Sequence, residues 1–532
     1  MLYFELGLAV MLGAVLLASL ARRVGAPYPA LLALGGTALA FVPGLPTIAI
    51  PPDLILALFV APVLVEAAYT ASLRDLQDNW RPVSTLVFAA VAVTVAAVAA
   101  VAHWLVPGLP WPAAIALGAI VAPPDAAAAT AVLRALKPPH RVMTILEGES
   151  LFNDASALLV YRFAVAAALT GSFAIERAVP SVIAVVLGSV ATGWLLGRGF
   201  ILTLGRISDV SSAVVLQFIG AFGVWLIADR IGLSGVVTAV VWAITLARYH
   251  PTVLEARHRI SQTAVWQTAA FMFNAAAFTL IGLQIRPLLN AFTPAQRHDY
   301  LLVAGAIVLT VILARIGWIM AYNQAMAVKN RLVGVKLARE GMMVPTWRTG
   351  VLVSWCGMRG VVTIAAALAL PSHFPFRELI VLTAFAVSLC TLIGQGLTLR
   401  PLIDWLKLPP DDVIAVEAGH ARAEGLKAAL GSIDHEHSTA ARLLRREFRE
   451  ALGLTEAADG DRPDTEVNAL RRRAIDASRA RIIAMRDAGE VGDDAFRRLE
   501  EEYDLLELAS RDPEAEEGEG EAASQADEAT SG

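Results

Sequence analysis

An all-α polytopic membrane protein is what this sequence predicts, on three observations. The 532-residue chain is 56% hydrophobic and only 17% charged. Its apolar residues fall in runs of roughly 18 to 25, enough to cross a hydrocarbon core about 30 Å thick. These runs are rich in Ala, Leu and Val and too long for barrel strands, so they read as helices. A soluble chain of this length would divide into several domains carrying more charge.

Taken in order, about thirteen spans are expected. Their approximate limits are 3–20, 27–48, 54–73, 82–105, 112–134, 141–170, 177–203, 211–229, 231–249, 265–289, 300–325, 349–371 and 378–400. The first begins at Tyr3 and is followed by Arg22 and Arg23. A signal peptide has the opposite order, basic residues before the apolar core, so this run reads as a spanning helix. The eighth and ninth spans are separated only by Asp229 and Arg230. Cys356 and Cys390 both lie inside apolar runs, with no disulfide framework and no metal spacing, and read as packing residues.

Lys and Arg in the short loops set the orientation. The loops after odd-numbered spans carry Arg22 and Arg23; Arg74 and Arg81; Arg134, Lys137 and Arg141; Arg206; Arg248, Arg257 and Arg259; and Lys329, Arg331, Lys336, Arg339 and Arg348. The other loops carry only Arg177, Arg230, Arg286, Arg297 and Arg377. The basic side is cytoplasmic, which puts the N-terminus outside and the C-terminus in the cytoplasm. After Pro401 the composition turns polar. Residues 1–405 read as the membrane domain and 411–510 as a small helical cytoplasmic domain, with helical spacing at Leu444, Phe448 and Leu452 and a helix start at Asp493. Residues 511–532 read as an acidic disordered tail, where much of the acidity behind the chain's net charge of -5 sits. His435 and His437 lie in a polar turn without further ligands and read as a solvated loop.

Six charged side chains fall well inside apolar runs: Glu66, Asp125, Glu149, Asp154, Arg315 and Arg359. Each costs about 2.5–3.5 kcal/mol at the centre of a lipid-facing helix, on the order of 15–20 kcal/mol together. They must pair or face a hydrated cavity. Two acid–arginine pairs at about 4 Å would each gain roughly 4 kcal/mol at an effective dielectric near 20. Two acids are then in excess, and such a pair makes a good cation or proton site because either ligand relieves the desolvation. In Glu149-Ser150-Leu151-Phe152-Asn153-Asp154, Ser150 and Asp154 are four apart and share a helix face. Asn153 neighbours both Glu149 and Ser150 around the same side. A carboxylate, a hydroxyl and an amide are the hard oxygen donors a dehydrated alkali cation needs, and the lack of His and Cys argues against a transition metal.

Two spans carry breaks near their middles, Ala122-Pro123-Pro124-Asp125 and Cys356-Gly357-Met358-Arg359-Gly360. Broken helices are tolerated at membrane depth only where protein or a water-filled cavity satisfies the freed backbone. They are the fifth and twelfth spans, an odd offset, so they cross the membrane in opposite directions as an inverted repeat requires.

The stretch Glu147-Gly148-Glu149-Ser150-Leu151-Phe152-Asn153-Asp154-Ala155 resembles the signature of monovalent cation/proton antiporters of the electroneutral branch, the bacterial sodium/proton exchanger type. Ala61 to Ala68, the Pro-Pro-Asp break and Gly357-Met358-Arg359-Gly360 are similar to the same family, and the likeness runs over about residues 3–405. The resemblance implies that Asp154 alternately binds cation and proton. Ser150, Glu66 and the carbonyl of Pro124 supply further oxygens, with Asn153 steadying the site. Glu149 pairs with Arg315 and Asp125 with Arg359, which reserves Glu66 and Asp154 for the alkali cation. The family fold implied is a core bundle with two crossed broken helices beside a panel that forms a homodimer. The family often has Thr-Asp-Pro where this chain has Pro124-Asp125-Ala126; a main-chain ligand survives that change and a threonine hydroxyl does not.

The expected function is therefore secondary active exchange of Na+, or Li+ or K+, for H+ in a bacterial cell membrane by alternating access. Asn153 cannot titrate, so one-for-one electroneutral exchange is expected. The partners are cations, protons and the lipid bilayer, with no nucleic acid and no cofactor beyond the transported ions. A cation channel and an ion or pH sensor are the competing readings. An intramembrane enzyme is disfavoured, since the sequence has no His-Glu-x-x-His run and no nucleotide-binding glycine loop.

Overall fold

A computed structural model describes residues 2–24, 26–43, 56–125, 129–130, 133, 138–171, 175–207, 209–253, 256–290, 292–333, 346–408, 413–457, 466–488 and 490–510. The expected tail 511–532, Ala126, and the loop residues Arg134, Lys137, Lys336 and Arg339 lie outside the described residues. Among the described residues every regular element is helical. Lipid explains this: with no water to satisfy the backbone, a chain of apolar runs must close its hydrogen bonds within each segment.

The chain divides into two compact units, Met1–Pro409 and Pro410–Gly532. In the first, seven helices are long and apolar enough to cross a membrane, from Trp80–Leu105 to Arg377–Leu406. Shorter apolar helices include Tyr28–Ala40, Trp111–Val121 and Gly235–Tyr249. Each expected span meets at least one helix. Local irregularities follow the prolines. Pro62 has no N–H to bond one turn back, and the chain just before it, Leu56–Val60, widens into a π turn before the helix Ala61–Thr70. The 31-residue helix His140–Thr170 ends at Gly171, whose φ of 67° closes the last turn in the left-handed conformation open to glycine.

Two expected spans are visibly interrupted. Trp111–Val121 stops at Ala122, where Pro123 and Pro124 can continue no helix. Trp347–Trp355, started by a reciprocal Thr346/Thr349 cap, stops at Cys356, and the chain resumes as Val361–Leu368. The helices Trp111–Val121 and Val361–Leu368 touch, and the Asp125 N–H donates to the Met358 carbonyl at 2.7 Å. The breaks thus satisfy part of each other's freed backbone. The helix His140–Thr170 packs along Trp111–Val121 and places its middle beside this crossing.

The second unit, taken by itself, contains the helices Val413–Ser432, Thr439–Ala457, Glu466–Asp487 and Asp493–Ser510. They pack as two pairs, first with second and third with fourth. Arg479 joins the third to the fourth through Asp504 and Glu507, each at 2.6 Å.

Candidate functional site

The crossing of the broken helices is held by side chains drawn from three helices and from the breaks themselves. Four carbonyls around it, those of Val121, Val353, Ser354 and Gly357, accept from arginine. Arg315, from the helix Pro294–Val333, reaches the Glu149 carboxylate with both terminal nitrogens, at 2.5 and 2.8 Å. The same guanidinium donates to the carbonyls of Val353 at 3.0 Å and Ser354 at 3.2 Å, at the end of the helix before the second break. The pair is almost fully buried, with side-chain exposures of 4% and 2%. A fork-to-fork geometry with every remaining donor directed at a carbonyl is what makes a buried charge pair tolerable. Gly357 makes room for it: a Cβ there would lie 2.3 Å from Arg315 Cδ.

The second expected pair takes a different form. Arg359 does not bridge to Asp125. Its Nε donates to the Val121 carbonyl at 2.8 Å and its Nη1 to the Gly357 carbonyl, while its backbone N–H donates to Thr391 Oγ1 at 3.0 Å. The Asp125 carboxylate lies instead against Gly360, at the start of the helix Val361–Leu368; a Cβ on Gly360 would sit 1.5 Å from Asp125 Oδ2. Helix dipoles account for the exchange of partners. Val121 ends one half-helix, a negative terminus that favours a cation, and Gly360 precedes the N-terminus of the other, which favours an anion. Each charge therefore neutralises a helix end, and the two need no contact with each other.

Beside the crossing lies a cavity of about 240 Å³. Its wall includes Glu66, Pro124, Ser150 and Asp154, four of the five residues expected at the cation site. They come from three elements: the helix Ala61–Thr70, the first break, and one face of His140–Thr170. Asp154 is only 5% exposed, and no salt bridge to it is found among the described residues. Asn153 is not a lining residue. It is fully buried, and its Nδ2 donates to the Pro124 carbonyl at 3.2 Å, tying the first break to the helix that carries Asp154.

The cavity also contains Tyr28, Thr70, Asp125, Thr130, Glu147, Asn274 and Thr363. Of these only Asp125 carried an expectation, as a pair partner. Glu147 shares a helix face with Ser150 and Asp154, being three and seven residues before them, and that spacing was a usable signal. Asn274, in the helix Ala256–Leu283, and Thr363 carry no local signal, because each reaches the cavity from a segment more than a hundred residues away from Asp154.

Chemically the cavity offers carboxylate, hydroxyl, amide and main-chain oxygens, suited to a hard monovalent cation or a proton. A family model described as sodium/hydrogen exchanger, transmembrane, matches residues 9–405. An uncharacterized Na(+)/H(+) exchanger of Mycobacterium tuberculosis is 31% identical over 536 residues, covering 95% of each chain. A sodium, potassium, lithium and rubidium/H(+) antiporter of Bacillus pumilus is 32% identical over 424 residues, which span 75% of this chain and 61% of that one. In fold, the sodium proton antiporter MjNhaP1 of Methanocaldococcus jannaschii matches with a TM-score of 0.57 at 19% identity, over 76% of this chain and 99% of its own.

Proposed function

Because this chain belongs to the sodium/hydrogen exchanger family and exchanges Na+ for H+ across a membrane, we propose that one cation and one proton compete for Asp154. The observation that carries this reading is the convergence of Asp154, Glu66, Ser150 and the Pro124 segment on one buried cavity at the crossing. A buried carboxylate is costly while charged and uncompensated, and either a proton or a cation relieves that cost. The loaded site can change the side it faces; the empty charged site is held back. Obligatory exchange follows.

In this cycle Asp154 releases its proton to water on the side it faces and its carboxylate then binds the cation, with Ser150, Glu66 and the Pro124 carbonyl as further oxygen ligands. Asn153 keeps that carbonyl in place through its amide. Asn153 has no proton to exchange at working pH, so one cation moves against one proton and no net charge crosses. Lithium and potassium suit the same oxygens and are read as further substrates, in line with the cation range in the name of the Bacillus pumilus relative. The function assigned is transport rather than covalent chemistry. The protein acts as a homodimer in a bacterial cell membrane, its N-terminus outside and its C-terminus in the cytoplasm, where the loop Lys and Arg bias places them.

The test is proton movement in proteoliposomes on addition of sodium, lithium or potassium. The wild type should show a cation-driven pH change, insensitive to a clamped membrane potential, and Asp154→Asn should show none. Exchange retained in Asp154→Asn would remove Asp154 from the centre of the mechanism, and a rate that follows voltage would end the one-for-one reading.

A further inference from the structure

Thr363 combines three properties that no other residue of the cavity is found to share. It lines the cavity that holds Asp154, it is only 1% exposed, and its Oγ1 has no hydrogen-bond partner among the described residues. A buried hydroxyl without a partner is costly, and threonine in a helix ordinarily removes that cost by donating to the carbonyl one turn back. Other threonines of this unit do so: Thr94 bonds the Ala90 carbonyl at 2.8 Å and Thr391 the Val387 carbonyl at 2.7 Å. One turn before Thr363 the chain is unwound, at Cys356 to Gly360, so the helix Val361–Leu368 offers no regular carbonyl there. The hydroxyl is thus kept at the cavity wall by the break itself.

The opposite break is short of a hydroxyl. Pro124 presents only its carbonyl, which already accepts from Asn153. We propose that Thr363 is a ligand to the transported cation, supplying from the second broken helix the hydroxyl oxygen that proline cannot supply from the first. The proposal rests on the reading of Asp154 as the exchange site. It gives the second break a direct part in binding, so that both broken helices hold the ion and their relative movement changes the coordination. An alkali cation takes several hard oxygen ligands, and the loss of one weakens binding while leaving the carboxylate that exchanges the proton.

The experiment compares Thr363→Val, Thr363→Ser and Asp154→Asn in proteoliposomes of the full chain, with sodium, lithium and potassium each titrated. Thr363→Val keeps the shape and removes the oxygen. It should raise the half-saturating sodium concentration about tenfold while the rate at saturating sodium stays within twofold of wild type. It should also change the order of preference among the three cations. Thr363→Ser should restore the wild-type sodium value. A purely structural role would lower the maximal rate or the yield and leave the half-saturation and the cation order unchanged, which would overturn the proposal. If Thr363→Val does not fold, Thr363→Ala takes its place with the same criteria, and a wild-type half-saturation in Thr363→Ala counts equally against it. Failure of the underlying reading shows separately, as exchange that survives Asp154→Asn.

Discussion

Replacement of Arg315 by methionine should be among the most damaging single changes outside the cavity. The substitution keeps much of the side-chain length and removes the charge. It leaves the Glu149 carboxylate, 2% exposed, without the two donors at 2.5 and 2.8 Å. Breaking one side of a buried pair costs roughly 3–5 kcal/mol. The carbonyls of Val353 and Ser354 lose their donors as well, which brings the expected cost to about 4–6 kcal/mol. The double variant Glu149→Met/Arg315→Met buries no charge and should be less destabilised than Arg315→Met alone. The two sites should couple by at least about 2 kcal/mol. Equilibrium unfolding by SDS in mixed micelles, across the wild type, both single variants and the double, measures all four corners of this cycle. Additive losses in the double variant, or an Arg315→Met protein within about 1 kcal/mol of wild type, would refute the argument.

Two further outcomes follow from the same geometry. Gly360→Ala places a Cβ 1.5 Å from Asp125 Oδ2 and 2.4 Å from its Cγ; the short Asp125 side chain cannot swing clear without leaving the helix end it neutralises. Exchange by purified Gly360→Ala should fall more than about tenfold, read as initial rate per folded protein. Competition at Asp154 predicts that the half-saturating sodium concentration rises as pH falls, by up to about tenfold per unit where the site is mostly protonated. Initial rates at saturating sodium, by contrast, should converge across pH. A half-saturation independent of pH would show that proton and cation occupy different groups.

Sequence alone determined the class of this protein and brought out Glu66, Pro124, Ser150 and Asp154, which line the cavity at the crossing. Apolar runs long enough to span a bilayer have one stable backbone solution, so helices in a membrane follow from composition and run length. The paired prolines at 123 and 124 remove two successive donors, and the glycines at 357 and 360 loosen the chain around Arg359; these clusters made both breaks legible. Glu149 to Asp154 lie within two helical turns, so their shared neighbourhood was fixed by local geometry. The start of the helix at Asp493 was legible in the same way.

Only the tertiary structure decided what the charges meet. The family resemblance implies an Asp125–Arg359 pair, but pairing charges in this way ignores the partial charges at helix ends. Those ends appear only when the two breaks cross, and they draw Arg359 to the Val121 and Gly357 carbonyls and Asp125 to Gly360. The far wall of the cavity is also a tertiary product. Asn274 stands in an ordinary apolar helix and Thr363 just after the second break, and no spacing rule connects either with Asp154. Coordination needs oxygens on several sides of one ion. A single helix presents one face, so the other oxygens of the cavity wall come from segments that only folding brings together.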